Sequence, residues 1–344
     1  MQEIVISEKE AGQRLDKYLG KFMPYAPKSF FYKMMRKKNI VLNRKKAEGM
    51  ERLKEKDIIT LFLSEETIWK FQKNLVDDKE KEKKRKEIKA EKKKIPEISI
   101  IYEDRHILII NKPVGLLSQK AQPKDISVVE QITAYLLQSE FLTLEELNTF
   151  HPAVCNRLDR NTSGLIIGGK TIRGLQEMNL LLKERAVDKY YLTIVSGYIK
   201  AKQKITGYLI KDHNKNQVRI IETPSRNTDY ICTEYEPLCY AKSESMTLLK
   251  VKLITGKSHQ IRAHLKSLGF PVIGDGKYGD MQLNKKLKQD FSLTHHLLHS
   301  YEVQFPKLSG CLSELSEKRL QAQIPEEFLK IIKEVFPEKY CLFK

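Results

Sequence analysis

The chain has few cysteines and no pattern among them: Cys155, Cys232, Cys239, Cys311 and Cys341 are odd in number, widely spaced and include no C-x-x-C pair. That excludes a disulfide framework and a zinc ribbon, and reduced thiols are expected. Long apolar runs are missing too. No stretch approaches the roughly 18 apolar residues of a membrane span. No apolar signal segment opens the chain, so a cytoplasmic protein without a membrane partner is expected. A metal set is also lacking. His295, His296 and His299 stand close together at the head of the strand-like run LLHSYEVQF, without a matching acid or cysteine, and no metal is expected there. Acids are in deficit, with 44 Asp and Glu against 62 Lys and Arg, which leaves a formal charge of +18. When such charge is clustered it favours polyanions through counterion release, and nucleic acid leads the partner classes.

At 344 residues the chain exceeds the common size of one domain, and composition divides it. From Asp77 to Lys94 the run DDKEKEKKRKEIKAEKKK has only Ile88 and Ala90 as apolar residues, too few for a core, so residues 76–95 read as a charged linker. Before it, residues 1–75 form a small unit. Leu15, Tyr18, Leu19 and Phe22 keep helical spacing, and Phe31, Met34 and Met35 repeat it after the Pro24 to Pro27 break. NIVLNRKKA and KDIITLFL then read as strands around an Asn-Arg turn. Lys28, Lys33, Arg36, Lys37 and Lys38 interleave with the apolar positions of the second helix and share a surface with that turn, which favours RNA contact over a merely solvated face.

Beyond Pro96, residues 96–344 start with strand, turn, strand in ISIIYEDRHILIINKP, and helical spacing follows in ISVVEQITAYLL and TIRGLQEMNLLLKER. Consecutive strand-like runs come next: KYYLTIVSGYI, KITGYLI, NQVRIIE, TEYEPLCYA and SMTLLKVKLIT. Runs of strands without βαβ alternation predict an α+β domain with a mixed, largely antiparallel sheet, and no internal repeat is visible.

One segment admits two chemistries. Within TSGLIIGGKT, Gly164, Gly169, Lys170 and Thr171 fit the phosphate-loop pattern G-x-x-x-x-G-K-[ST]. A phosphate loop needs a strand before its first glycine and small residues through the loop, whereas here a polar turn comes first and Leu165, Ile166 and Ile167 occupy the loop positions. Those residues prefer a buried strand, so no nucleotide cofactor is expected and Lys170 and Thr171 start a helix that ends near Arg185. Attention passes to Asp159, just upstream in NRLDR. An aspartate in a turn is usually a cap, but Arg157 and Arg160 flank this one and favour its ionised form, as a nucleophile or base requires.

NRLDRNTSGL resembles the R-L-D-x-x-T-S-G-L signature of the RluA-type pseudouridine synthases. Three further stretches agree in order: INKPVGLLSQ with N-K-P-x-G, KYYLTIVSG with K-x-Y-x-x-x-V-x-G, and TGKSHQIRAHL with T-G-R-x-H-Q-I-R-x-H-L. QRLDKYL, PKSFFYKMMRKKNIVLNRKK and LKEKDII look like the small RNA-binding αL module named after the fourth small-subunit ribosomal protein. The resemblance implies an isomerase that works without metal or redox cofactor. Asp159 acts at the ribose of a target uridine, Tyr191 stacks on the base, and Arg262 pairs with Asp159. Arg157 is implied to enter the RNA stack when the uridine is flipped out, and His259 to contact RNA nearby. In the small module Lys33, Arg36, Lys37, Arg44 and Lys45 are the implied RNA contacts. Large-subunit ribosomal RNA ranks first as substrate, transfer RNA second, and a monomer is expected. A noncatalytic RNA-binding or assembly factor of the same fold is the alternative, ahead of a phosphate-loop hydrolase. Asn156, Lys257 and the late HHLLHS depart from the family pattern, which leaves the roles of His295 and His296 open.

Overall fold

The computed structural model describes residues 1–72, 97–212 and 217–340; the expected linker, 76–95, and Cys341 lie outside them. Two separate sheets organise the described residues. The smaller has four strands, Gln2–Val5 (β1), Ile40–Leu42 (β2), Lys45–Lys46 (β3) and Ile58–Leu61 (β4), in the order β1-β4-β2-β3. Against it pack the expected helices Leu15–Phe22 and Lys28–Arg36, through a core that includes Leu15, Tyr18, Leu19, Phe31, Met35 and Ile59. The Asn-Arg turn is a tight hairpin: Asn43 and Arg44 both take positive φ, 50° and 61°, which twists β2 and β3 as a two-residue turn requires. The strand β1 and a third helix, Glu65–Gln72, complete this unit and have no clear period in the sequence.

The larger sheet has 11 strands. They are Ile100–Glu103 (β5), Ile107–Lys112 (β6), Ala153–Val154 (β7), Ser163–Gly169 (β8), Asp188–Ser196 (β9), Gln203–Asp212 (β10), Gln217–Ile221 (β11), Asp229–Ala241 (β12), Met246–Leu253 (β13), Leu298–Gln304 (β14) and Arg319–Gln321 (β15). Nine run in the order β11-β10-β12-β13-β9-β14-β8-β6-β5, with β7 on β8 and β15 on β14. All pairs are antiparallel except β14 with β8, so the sheet is mixed and largely antiparallel, and the domain is α+β.

Helices cover both faces of the central strands, which explains their unbroken apolar character. Ile166, Leu108 and Ile110 point into one core with Ile132 and Leu136 of the helix Val128–Gln138. Leu165, Ile167, Ile107 and Ile109 point into the other with Met178 of the helix Ile172–Lys183. Strand β14 sits in the middle, and its Ser300 is in register with Gly164 of β8 on one side and Tyr191 of β9 on the other. That placement, made late in the chain, brings segments more than a hundred residues apart into one site.

The strand expected for Leu165, Ile166 and Ile167 extends further: β8 runs from Ser163 through Gly169, and every residue in it is buried. A Cβ on Gly168 would lie 2.6 Å from Ile132 Cδ1, and one on Gly169 would lie 2.3 Å from the Leu175 side chain. These glycines let two helices press against the strand. The helix starts as expected: Thr171 is its N-cap and accepts from Gly174 N at 3.0 Å. Lys170 is buried, donates to Glu103 Oε1 and the Asp104 carbonyl at 2.7 Å each, and so is turned away from any anion nest.

Candidate active site

Asp159 lies on a loop, 155–162, that is fastened at successive positions. Asn156 takes the place of a strand partner, accepting from Ile167 N at 2.8 Å and donating to the Leu165 carbonyl at 3.2 Å. Ser118 Oγ accepts from Leu158 N and donates to the Leu158 carbonyl, at 2.9 and 2.8 Å. The fully buried ammonium of Lys112 donates to the carbonyls of Pro113, Leu116 and Arg160 at 2.7, 2.8 and 3.0 Å, tying two loops into one wall. Burial pulls the Lys112 amine down to about 7, and the charge of Asp159 acts in the opposite direction. Gly115 N donates to the Arg160 carbonyl at 2.9 Å and closes the wall.

The end of the loop is held by two histidines. His296 Nε2 shares a hydrogen bond of 2.8 Å with Thr162 Oγ1, and His299 Nδ1 one of 2.9 Å with Ser163 Oγ. Both rings are buried. Burial drives the His296 imidazole down to about 3, with the Arg262 charge adding to it, and burial drives His299 down to about 4. Both are neutral rings at physiological pH. His296, whose role the sequence leaves open, and His299 thus hold the hydroxyls of the turn that carries Asp159. His295 instead faces Glu327, 3.7 Å away.

Arg262 is the hub. It projects from the helix Gln260–Ser267, and its Nη1 donates to Asp159 Oδ2 at 2.8 Å. Its Nε and Nη2 form a two-pronged bond to Asp275 at 2.7 and 2.8 Å. Sequence reasoning missed Asp275, which is wholly buried between the glycines of IGDG. A carboxylate among small residues after the apolar pair Val272-Ile273 was the available signal, since a buried acid demands a cation. Asp275 Oδ1 also accepts from Lys277 N and Tyr278 N at 2.8 and 3.1 Å. Burial works to raise the Asp275 carboxyl, but the Arg262 bonds outweigh it and the net shift is downward. Burial likewise opposes the Arg262 charge, while bonds to Asp275 and then Asp159 raise its pKa. One guanidinium thus spans a fully buried carboxylate and one that is a quarter exposed, leaving Asp159 oriented and open on the solvent side.

The remaining expected residues divide into two places. Arg157, Tyr191 and His259 line the same cleft as Asp159, of about 950 Å³, together with Lys120, Arg160, Lys183, Lys189 and Lys257. Tyr191 is 5% exposed, and burial first, then the Asp159 charge, pushes its phenol up to about 12, while the Ser300 hydroxyl beside it acts the other way. It is a buried ring that lines the cleft with Asp159. Arg157 is exposed at the rim. His259 takes φ +55° at the helix N-cap, where its Nδ1 shares a 2.9 Å bond with Tyr278 Oη and its Nε2 lies 3.9 Å from Asp159 Oδ2. Burial lowers its pKa, against the pull of Asp159. Lys33, Arg36, Lys37, Arg44 and Lys45 are elsewhere, all exposed on the second helix and hairpin of the small unit.

Chemically, the arrangement is a carboxylate held by a guanidinium in a cation-lined cleft that it shares with an aromatic ring. Comparison with known proteins agrees. Residues 106–267 match the family model described as RNA pseudouridylate synthase. The chain is 30% identical over 310 residues to an uncharacterised RNA pseudouridine synthase of Mycoplasma genitalium, covering 89% of this chain and 90% of that one. It is also 30% identical to the ribosomal large subunit pseudouridine synthase C of Pasteurella multocida, over 96% of this chain and 92% of that one. The solved structure of human RNA pseudouridylate synthase domain containing 4 superposes on 73% of this chain and 97% of its own, with a TM-score of 0.56 at 20% identity, and shares the fold. The chain belongs to the RNA pseudouridine synthases, enzymes of the isomerase class.

Proposed function

We propose that this enzyme converts specific uridines of large-subunit ribosomal RNA to pseudouridine, with Asp159 as the essential carboxylate. The observation that carries the reading is the Arg262 bridge, which fixes the Asp159 charge and rotamer while leaving the carboxylate open to the cleft. The target nucleotide enters flipped out of its stack. Asp159 acts at the ribose, whether by adding to C1′ or by removing a ribose proton, and the bond from N1 to C1′ breaks. The base then turns and bonds to C1′ through C5, the C5 proton is lost, N1 gains one, and the product is an isomer of the substrate. Tyr191 supplies the stacking surface that keeps the freed base in the site. Arg157 at the rim fills the gap left in the RNA, and His259 with the cleft lysines faces the backbone.

Residues 1–75 act as an RNA-binding module through Lys33, Arg36, Lys37, Arg44 and Lys45, and 96–344 as the catalytic domain. Relatives named for the ribosomal large subunit, from Pasteurella multocida and Vibrio cholerae, support that RNA as the substrate. The test is release of tritium from RNA carrying uridine labelled at C5. Asp159→Ala is expected to abolish release, with RNA affinity within about twofold of wild type because the substitution leaves the cations in place. Turnover retained by the variant would overturn the assignment. Pseudouridine mapping in ribosomal RNA from cells with and without an active copy names the target.

A further inference from the structure

The stretch that resembles a phosphate loop has a second use, at its Lys-Thr end. There the small N-terminal unit sits on the catalytic domain. Ile172 N, one of the free amides that open the helix Ile172–Lys183, donates to the Lys9 carbonyl at 3.0 Å. One turn on, Gln176 Nε2 reaches the Gly12 carbonyl at 3.3 Å, and Gly12, at φ +94°, brings its backbone close to Ile172. Lys9 Nζ forms an ion pair of 2.9 Å with Glu146 and lies over the ring of Phe141, which also carries Lys170 Nζ. Arg105 pairs with Glu8 at 2.5 Å, and Lys21 donates to the Thr149 carbonyl at 3.0 Å. The most telling group is Glu10. Its carboxylate is only 6% exposed, and Thr149 Oγ1 of the catalytic domain donates to one of its oxygens. A carboxylate shut off from water and hydrogen-bonded by a hydroxyl of the other domain marks a fitted contact, not a solvated one.

We propose that the N-terminal unit is docked on this seat in solution rather than merely tethered to it, and that docking fixes the RNA-binding face relative to the Asp159 cleft. The docking residues, Glu8 to Gly12 with Lys21, are distinct from Lys33, Arg36, Lys37, Arg44 and Lys45, which all stay exposed in the docked arrangement. The seat therefore leaves the basic face open to RNA, which fits a composite reader and not an autoinhibitory clasp. An RNA long enough to span both surfaces meets two sites already set at one spacing, so its second contact forms without a fresh ordering cost. A short RNA that reaches only the cleft gains nothing from docking. The functional half of this inference rests on the RNA-binding role given to residues 1–75 above.

Two readouts on the full chain separate the parts. A zero-length carbodiimide reagent joins an amine to a carboxylate in direct contact, and is expected to yield a Lys9–Glu146 cross-link detectable by mass spectrometry. Charge reversal in Lys9→Glu or Glu146→Lys is expected to lower kcat/KM about tenfold or more on a long ribosomal RNA fragment while leaving a short hairpin within about twofold. The double reversal restores the pair and most of the long-fragment activity, which a folding defect would not do. Absence of the cross-link in the wild-type chain overturns docking. A cross-link with equal activity of the single variants on the long fragment overturns its role in RNA reading. A wild type inactive on both RNAs sinks the proposed function, while the cross-link still decides docking.

Discussion

A guanidinium has enough donors in one plane to serve two carboxylates, and Arg262 uses them so. Replacing Asp275 by Asn keeps the shape but leaves a buried cation without its main counter-charge, and breaking a buried pair in this way costs about 3–5 kcal/mol. Asp275→Asn is therefore expected to lower Tm by several degrees, and to reduce kcat more than it raises KM because Asp159 loses its fixed partner. A variant with wild-type Tm and kcat would show the bond to be idle. His296 and His299 make a prediction of a different kind. Each is neutral when folded, with pKa values near 3 and 4, and each returns to about 6.5 when unfolded. Their contribution is complete above about pH 6.5 and is lost as pH falls toward the folded values, at about 1.4 kcal/mol per pH unit for each ring. Urea unfolding at pH 6.5 and pH 5 reads this slope, and His296→Asn is expected to remove one ring's share of it. A slope unchanged by that substitution excludes the imidazole as its source. That Asp159, Tyr191 and Arg262 share one cleft was legible because each stands in a motif of fixed spacing. The contacts of the two histidines were not, because their partners Thr162 and Ser163 lie more than a hundred residues away and no local pattern announces them. Asp275 stands only 13 residues from Arg262, but the turn after the helix Gln260–Ser267 that joins them belongs to no motif with that arginine.

At the scale of elements, sequence period located most strands of the large sheet, because the exposed ones alternate and the central ones run apolar. It could not order them. Nothing in the run LLHSYEVQF says that β14 inserts between β9 and β8, since a parallel neighbour and an antiparallel one demand the same residues. Nor does local chemistry say that GG inside LIIGG belongs to the strand. Glycine lowers strand preference, and the reason for it lies in the helices that cross above and below. Gly164 states the case most sharply. It sits at φ +108°, and a Cβ there would fall 2.1 Å from the Ser300 carbonyl oxygen, a backbone atom that has no room to yield because β14 is paired on both sides. Gly164→Ala thus meets a strained φ and a steric overlap together, and a loss of about 3 kcal/mol or more is expected. A thermal melt reads the loss, and activity should fall with it, because Ser300 also registers Tyr191. An alanine variant with unchanged Tm would mean that β14 and β8 do not approach as described.

The charge of the whole molecule, +18 by formal count, says that a polyanion is welcome but not where it binds. The structure distributes cations over two surfaces: the cleft, with Arg157, Arg160, Lys120, Lys183, Lys189 and Lys257, and the small unit, with Lys33, Arg36, Lys37, Arg44 and Lys45. If both surfaces engage one RNA, counterion release makes the affinity for a long ribosomal fragment fall steeply with salt. Each phosphate neutralised adds about 0.7 to 0.9 to the slope of log affinity against log salt. Changing Lys33, Arg36 and Lys37 together to Ala is expected to lower that slope by about 2 to 3 and to weaken binding at low salt, because three phosphate contacts go. The helix stays intact, since all three side chains are exposed and Ala is the better helix former. At saturating RNA, kcat should stay within about twofold if these cations act as proposed, because none of them lines the Asp159 cleft. Binding titrations at several salt concentrations measure the slope, and single-turnover rates at saturation measure the second quantity. A slope unchanged by the triple substitution would place RNA on the cleft alone and leave the basic face of the small unit without that partner.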